Sequence, residues 1–600
     1  MSSAPAKSGE AQFNGSAKRS QPRLGQPRKK KQKLQASARV EGSYDEVIAA
    51  DVRELLRDLR IGDRPGQRYG EDNDAYTLQL PERFTDVEVK ITSLSSTGDG
   101  LGEMVGDSSH VYVVPFSVPG DTVLARVIRH DPQSSYTITD FVKVLVSSPQ
   151  RDDSLARCPY FSTCSGCQFQ MLPYQYQLAH KKTIVEKAYR NFSGLAPHLV
   201  PKVGDTIGSP LQYGYRTKLT PHFDGPRGGR RAARKGETPR FEEVPPIGFM
   251  KKGTRQTLDI EECPIGTEVV QLGLRRERKR IAKEIGKYKR GATILLREST
   301  NRIARNEDES EQGLDEEKQT IYEESSDHIH AKTCITDNNA TTTEYVDKYI
   351  FQNPANAFFQ NNNSILPTFT GYIRDHILAP PIALLLSEAK TPATLQIKNL
   401  IDAYSGSGLF TITLSTLFTH SIGVDISPES ITFARRNAQL NHLTSPTLPT
   451  PTSAVESDTS YSQSNLAPST GNKRSVQFLA ADATTLFADV PSFFTPAETA
   501  IVIDPPRKGC DESFLKQLVT FGPARIVYVS CNVHTQARDI GWILRAGKDS
   551  EDGADSQKKA AEASGDYEIE SLQGFDFFPQ TGHVEVVAVL SRRKQDLEVQ

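Results

Sequence analysis

The period of apolar residues along this 600-residue chain changes from region to region. In residues 44–60, Val47, Ile48, Val52, Leu55, Leu56 and Leu59 stand at helical spacing and predict a short amphipathic helix. In residues 84–146 the period falls to two. Residues 87–91 alternate, Gly98, Gly100 and Gly102 bend the chain, and residues 111–115 and 123–127 follow, separated by Pro119-Gly120-Asp121. Short strands with Gly and Pro turns predict a small barrel of the oligonucleotide-binding kind. From about Ile397 strands alternate with helices. Residues 397–402 end in a Gly-rich turn, residues 421–425 form a second strand, 431–440 read as a helix, and 476–479 and 500–504 are further strands. That succession predicts a doubly wound α/β domain. The expected division is a tail with a short helix (1–82), a barrel (83–146), a central cysteine-containing region (147–345) and the α/β domain (346–600).

Other stretches carry no such period. Residues 1–40 hold ten Lys/Arg against one acid, and residues 306–328 hold ten acids against one Lys. The net charge of −2 therefore hides segregation, and a local basic face for nucleic acid remains open. The run Arg28-Lys29-Lys30-Lys31-Gln32-Lys33 reads equally as a solvated RNA-binding tail or as a nuclear import signal. The acidic stretch, extended to about Thr343, reads as a surface insertion unable to bury a core, as do residues 444–474 and 547–566. No apolar run approaches membrane-spanning length. The lack of an apolar h-region and the seven cysteines point to a reducing, intracellular compartment, nucleus or cytoplasm, with a mitochondrial pool left open. No obligate protein partner is evident.

The chemistry concentrates near the C-terminus. Asp402-Ala403-Tyr404-Ser405-Gly406-Ser407-Gly408 is a strand followed by a glycine turn, which lets a ligand lie against the backbone. Asp425 ends the next strand, where a carboxylate can bind ribose hydroxyls, and Asp482 ends the third, where it can meet an adenine amino group. Thr411 stands where a dinucleotide fingerprint would place its third glycine, so the order fits S-adenosylmethionine better than a dinucleotide, with a generic nucleotide site as the plainer alternative.

Two later motifs complete the set. Asp504-Pro505-Pro506-Arg507-Lys508-Gly509 follows one strand, and Ser530-Cys531-Asn532 follows the next. Carbon 5 of uracil is too weak a nucleophile to attack a methyl sulfonium. A thiolate adding to carbon 6 gives an enolate nucleophilic at carbon 5, and a base must then remove the carbon-5 proton. Cys531 suits the first role and Glu585, in His583-Val584-Glu585, the second. Taken singly, each also reads as an ordinary strand residue. Cytosine-C5 methylation also uses a thiolate but gives no reason for the Asp-Pro-Pro-Arg turn.

Cys158, Cys164, Cys167 and distant Cys263 form a four-thiol set. In a reducing compartment such a set implies a metal centre rather than disulfides. Zinc and a four-iron cluster are both open. The absence of a second Cys-x2-Cys pair favours iron–sulfur. In Tyr213-Gly214-Tyr215-Arg216-Thr217-Lys218, alternation sets Tyr215 and Thr217 against Arg216 and Lys218. With Arg227, Arg230, Arg231, Arg234 and Lys235 this is either a phosphate-binding surface or a solvated loop.

On these residues the chain resembles the RNA uracil-C5 methyltransferases that form 5-methyluridine, of the TrmA and RumA type, and most of all the fungal tRNA members. The carrying segments are 504–509, 526–535 and 583–585, together with Phe358-Phe359-Gln360-Asn361-Asn362, which matches the family's Phe-x-Gln-x-Asn element. The resemblance spans about residues 84–600. It implies an S-adenosylmethionine-dependent, Rossmann-like methyltransferase domain with an N-terminal TRAM barrel. It implies Cys531 as nucleophile, Glu585 as proton acceptor, and Gln360, Tyr404, Asp425, Asp482 and Asp504 around the cofactor and base. It also implies that Cys158, Cys164, Cys167 and Cys263 hold a 4Fe-4S cluster. Leu409 departs from the polar residue common after the second glycine. The implied substrate is the T-loop uridine of tRNA. The alternatives are ribosomal RNA and a tRNA-binding or folding factor in which methylation is secondary.

Overall fold

A computed structural model describes residues 41–62, 80–105, 107–226, 240–304, 313–315, 319–325, 327–379, 397–443, 474–482, 486–545 and 566–593, with Gly228 and Gly236. The basic tail, the Arg227–Lys235 cluster and nearly all of the Ser/Thr/Pro-rich and Gly/Ala/Ser-rich stretches lie outside the described residues. The first element is the predicted helix, Tyr44–Gly62. The Glu46 carboxylate accepts from the Gly42 amide and Ser43 Oγ accepts from the Glu46 amide, a reciprocal cap. Its Ile48 and Val52 pack against Leu101, Val111, Val113 and Tyr136 of the barrel.

The barrel closes in the order β1 (Asp86–Leu94), β2 (Gly100–Met104), β3 (Asp107–Val114), β5 (Tyr136–Val146), β4 (Thr122–Asp131). Three of the five strands are those the alternation predicts. β2 is hidden by its glycines, one of which has a structural cause: a Cβ on Gly102 would sit 2.3 Å from the Lys90 carbonyl oxygen. Val89, Ile91, Val123 and Val127 fill the interior.

The central region holds the helices Tyr174–Phe192 and Glu268–Glu284 and a five-stranded sheet ordered β10 (Gly313–Asp315), β11 (Thr320–Glu324), β12 (His328–Ile335), β9 (Leu296–Ala304), β6 (Lys218–Leu219). A two-stranded pair joins β7 (His222–Phe223) to β8 (Ala292–Thr293). The acidic stretch is therefore corrected: its described residues pair as strands. Ile321 and Cys334 point into the core shared with Val269 and Leu274, and Lys332, directly across from Ile321, pairs with Glu323 at 2.6 Å at the margin of the same face.

The hairpin β13 (Thr341–Val346) and β14 (Tyr349–Pro354) leads into the α/β domain. There the sheet order is β17 (Ser475–Ala480), β16 (His420–Asp425), β15 (Asn399–Ala403), β18 (Thr499–Ile503), β19 (Arg525–Ser530), β21 (Glu585–Arg592), β20 (Tyr567–Phe575). The first five run parallel and β21 is antiparallel to both neighbours. Apolar cores cover both faces, which is why these strands read as nearly continuous apolar runs. Strand order reverses at β15, so ligands are expected at the carboxyl ends beside it.

Candidate active site

A cavity of about 600 Å³ opens at those strand ends. Gln360, Tyr404, Asp425, Asp482 and Asp504 all line it, so the structure brings the five expected cofactor residues together. The glycine turn is built by its neighbours. Gly406 and Gly408 take positive φ, and Asp425 accepts from the Gly406 amide at 3.0 Å and the Ser427 amide at 2.8 Å. Thr411, in place of a third glycine, gives its amide and its hydroxyl to Asp402 Oδ2 at 2.8 and 2.6 Å. Tyr404 lines the cavity at a left-handed turn, but its ring packs edge-on against Phe514, 5.6 Å away. Exposed Phe358 and Ile426 flank the opening, and neither was singled out as a contact in the sequence. Gln360 is nearly buried, and the loop before it is pinned by Lys218 Nζ, which donates to the Asn356 and Ala357 carbonyls at 2.9 and 3.0 Å. The alternation at 215–218 is found, with Tyr215 and Thr217 buried, but the Lys218 ammonium serves this loop.

The predicted chemistry lies next to the cavity. β19 and β21 pair Ser530 with Val586, so one step further Cys531 stands across from Glu585. Asp504 follows the adjoining strand β18. Asp504 lines the cavity while Cys531 and Glu585 do not, so Asp504 connects the cavity to this cysteine–carboxylate edge. The Ser530-Cys531-Asn532 turn has local causes. Ser530 Oγ accepts from the Asn532 amide at 3.0 Å, and Asn532 Nδ2 and Thr535 Oγ1 donate to the Arg507 carbonyl at 2.9 and 3.1 Å. Asp539 accepts from the Cys510 amide and the Tyr528 hydroxyl, at 2.8 and 2.6 Å, and fixes the end of the Asp-Pro-Pro turn.

Burial raises the Cys531 thiol to about 12, and the charges of Glu585 and Asp504 push the same way; Arg507, by charge and hydrogen bond, opposes them. Burial raises Asp504 to about 7, with Asp402 adding repulsion, and burial holds Glu585 well above the usual carboxylate range. Three acids at neighbouring strand ends cannot all ionise cheaply.

The loop before Glu585 is tied to the central region. Asp576 is in a fully buried ion pair with Lys181 and accepts from the Tyr174 hydroxyl at 2.9 Å. Lys181 also donates to the Phe578 carbonyl at 3.0 Å.

Cys158, Cys164, Cys167 and Cys263 are free and half-buried. Burial raises all four thiols, Cys263 to about 12, and repulsion from neighbouring cysteines adds to it at Cys158, Cys167 and Cys263. They share one neighbourhood. Among the described residues, no group of three or more His, Cys, Asp or Glu is placed as the ligands of a metal ion.

The family model described as tRNA (Uracil-5-)-methyltransferase matches residues 384–548. The tRNA (uracil(54)-C(5))-methyltransferase of Schizosaccharomyces pombe is 40% identical over 512 residues, covering 85% of this chain and 79% of that protein. The protein of the same description from Saccharomyces cerevisiae is 38% identical over 576 residues, covering 91% and 78%. The chain belongs to the tRNA (uracil-5-)-methyltransferase family. The crystal structure of the Pyrococcus abyssi tRNA (uracil-54, C5)-methyltransferase in complex with S-adenosyl-L-homocysteine has the same fold, with a TM-score of 0.51 at 22% identity, over 84% of this chain and 99% of that one. In this family member, no helix among the described residues is long and apolar enough to cross a membrane.

Proposed function

We propose that this chain methylates carbon 5 of uridine 54 in tRNA, with S-adenosylmethionine as methyl donor. The observation that carries this reading is the strand register that sets Cys531 across from Glu585, with Asp504 between them and the cavity. The names of the fungal relatives support the target.

When bound, the cofactor supplies an electrophilic methyl group. Gln360, Asp425 and Asp482 hold it in the cavity, Asp425 through its free lone pairs. Cys531, as thiolate, adds to uracil carbon 6, forming an S–C bond and moving the electron pair into an enolate. Arg507 is the cation that favours that thiolate. Carbon 5 of the enolate takes the methyl group as the sulfonium–methyl bond breaks. Glu585 then removes the carbon-5 proton, the 5,6 double bond re-forms, and Cys531 leaves as thiolate. The high proton affinity of Glu585 suits it to a carbon-bound proton. Glu585→Gln should stop after methyl transfer and leave a methylated, denaturation-resistant protein–RNA adduct through Cys531. Normal turnover, or an adduct elsewhere, would overturn the assignment.

The four-cysteine set fits an iron–sulfur cluster in donor chemistry, since all four ligands are thiols and share one neighbourhood. Bound there, the cluster would cross-link residues 158–167 to Cys263; no step of methyl transfer runs through it. Protein purified without oxygen should be brown, with iron and sulfide near about four per chain. Colourless protein with one zinc would point to zinc instead.

A further inference from the structure

We propose that Gln168 is a positioning residue for proton removal, fastening the loop that carries Glu585 to the barrel and to the cysteine-bearing loop. The proposal rests on the reading of Glu585 as base.

Gln168 directly follows Cys167 and joins three parts of the chain. Its Nε2 donates to the Thr97 carbonyl at 2.7 Å, in the turn between β1 and β2. Its Oε1 accepts from the Gly582 amide at 2.9 Å. Its own amide, with that of Phe169, donates to the Gln580 carbonyl at 2.7 and 3.0 Å. Both ends of the side-chain amide are thus engaged, one to the barrel and one three residues before Glu585.

The junction is tight. A Cβ on Gly98 would lie 2.5 Å from Gln168 Nε2, and a Cβ on Gly582 would lie 3.2 Å from Gly98 Cα. Gln580 sits at positive φ, a conformation a glutamine keeps only when its neighbours hold it. Its side-chain oxygen and backbone amide are both paired with Gln177, at 3.0 Å each. Gln177 and Lys181 grip the loop from the helix Tyr174–Phe192, and among the described residues Gln168 bridges it to the barrel turn through one side chain. Glu585 opens β21, so its place depends on where this loop delivers the strand. Cys531 and Asp504 follow the parallel strands β19 and β18, and among the described residues neither is hydrogen-bonded to Gln168, Gln177 or Gln580. Loosening Gln168 should therefore slow proton removal while leaving thiolate addition and methyl transfer in place.

The test is a single-turnover experiment with full-length protein, a tRNA transcript and cofactor labelled in the methyl group, counting methylated adduct and released 5-methyluridine separately. In Gln168→Ala, adduct should form at near the wild-type rate, and release should slow on the order of 10- to 100-fold, the effect of a small misplacement of a reacting group. Gln168→Glu keeps the acceptor for Gly582 and loses the donor to Thr97, so it should fall between the two. Gly582→Ala strains the junction from its other side with Gln168 intact and should show the same adduct build-up, which keeps the test open if Gln168→Ala folds poorly. Equal slowing of adduct formation and release in these variants would mean a general structural role and overturn the proposal, as would unchanged release. With Glu585→Gln run alongside, a trapped adduct there with normal release in Gln168→Ala sinks the positioning role alone. No adduct in Glu585→Gln sinks the base assignment and the proposal with it.

Discussion

The two halves of the seven-stranded sheet hold their functional groups by different means. On the half formed by β15, β16 and β17, each carboxylate is fixed by residues near it in sequence. Asp402 takes the Thr411 amide nine residues on, and Asp425 takes Gly406 and Ser427. On the half formed by β18, β19, β21 and β20, local ties such as that of Asn532 to Arg507 are joined by ties from far away. Asp576 pairs with Lys181, 395 residues earlier, and Asn532 reaches the Gly42 carbonyl, 490 residues earlier. The cavity is lined by the β15, β16 and β17 strand ends together with the segment 353–360 and the turn after β18. The cysteine–carboxylate edge needs the central region and the N-terminal helix as well.

The largest effect should come at that edge. Cys531→Ala should abolish turnover and retain RNA binding, because phosphate contacts need no thiolate. Cys510, also near this edge, is enclosed by Tyr528 and the Asp539-bound turn, and Cys510→Ala should keep most activity. Methyl incorporation and gel-shift assays on the two variants separate a reactive thiol from a packed one. Equal loss in both would erase the distinction.

Next in size is the long-range clamp. Lys181→Met leaves the buried Asp576 charge without its cation and should cost about 3–5 kcal/mol, read from the urea midpoint. A loss below about 1 kcal/mol would mean that the distant tie contributes little and that the two halves are alike. Arg507→Ala removes a cation that favours ionised Cys531. At neutral pH kcat/KM should fall by about two orders of magnitude, a typical cost for losing a charged group at a reacting centre. The rising limb of its pH profile should also move to more alkaline pH. An unmoved limb would detach Arg507 from the thiol.

The smallest effect tests the locally built half. Burial lifts Asp402 to about 7, against 3.8 as the ordinary value, its hydrogen bonds from Thr411 opposing this. A folded-state pKa above the unfolded one gives stability that is fully present below about pH 4 and is lost as pH rises towards 7. Asp402→Asn should flatten that slope, which can reach about 1.4 kcal/mol per pH unit, in urea unfolding followed between pH 4 and 7. Persistence of the full slope would place its origin at Asp504 and Glu585 instead.

Legibility in the sequence follows the same division. The glycine turn, the strand-end acids and the Cys531 and Glu585 strands could be read because each is a short motif on an apolar strand with a recognisable period. Gln168, Gln177 and Lys181 could not, since nothing local says that a polar residue in a loop or on an amphipathic helix will meet another loop some 400 residues on. The role of Asp402 is not legible in its motif, because its partner Thr411 is recognisable only once the turn is folded. β2 was hidden by glycines. The strands of the acidic stretch were hidden because charge alternating with isolated Ile and Thr resembles a solvated segment until Ile321 and Cys334 are seen against the helix Glu268–Glu284.

The Lys181–Asp576 pair also bears on how the protein is made. During synthesis the lysine emerges 395 residues before the aspartate that neutralises it. At about 5–20 residues per second the nascent chain spends roughly 20–80 s with this seat unfilled. Until the last strands arrive, the central helix keeps its charged face towards water or a chaperone, and the edge that holds Cys531 lacks β21 beside it. A ribosome that stops before these residues therefore releases a chain in which β19 lacks its antiparallel neighbour β21 and Lys181 lacks its carboxylate.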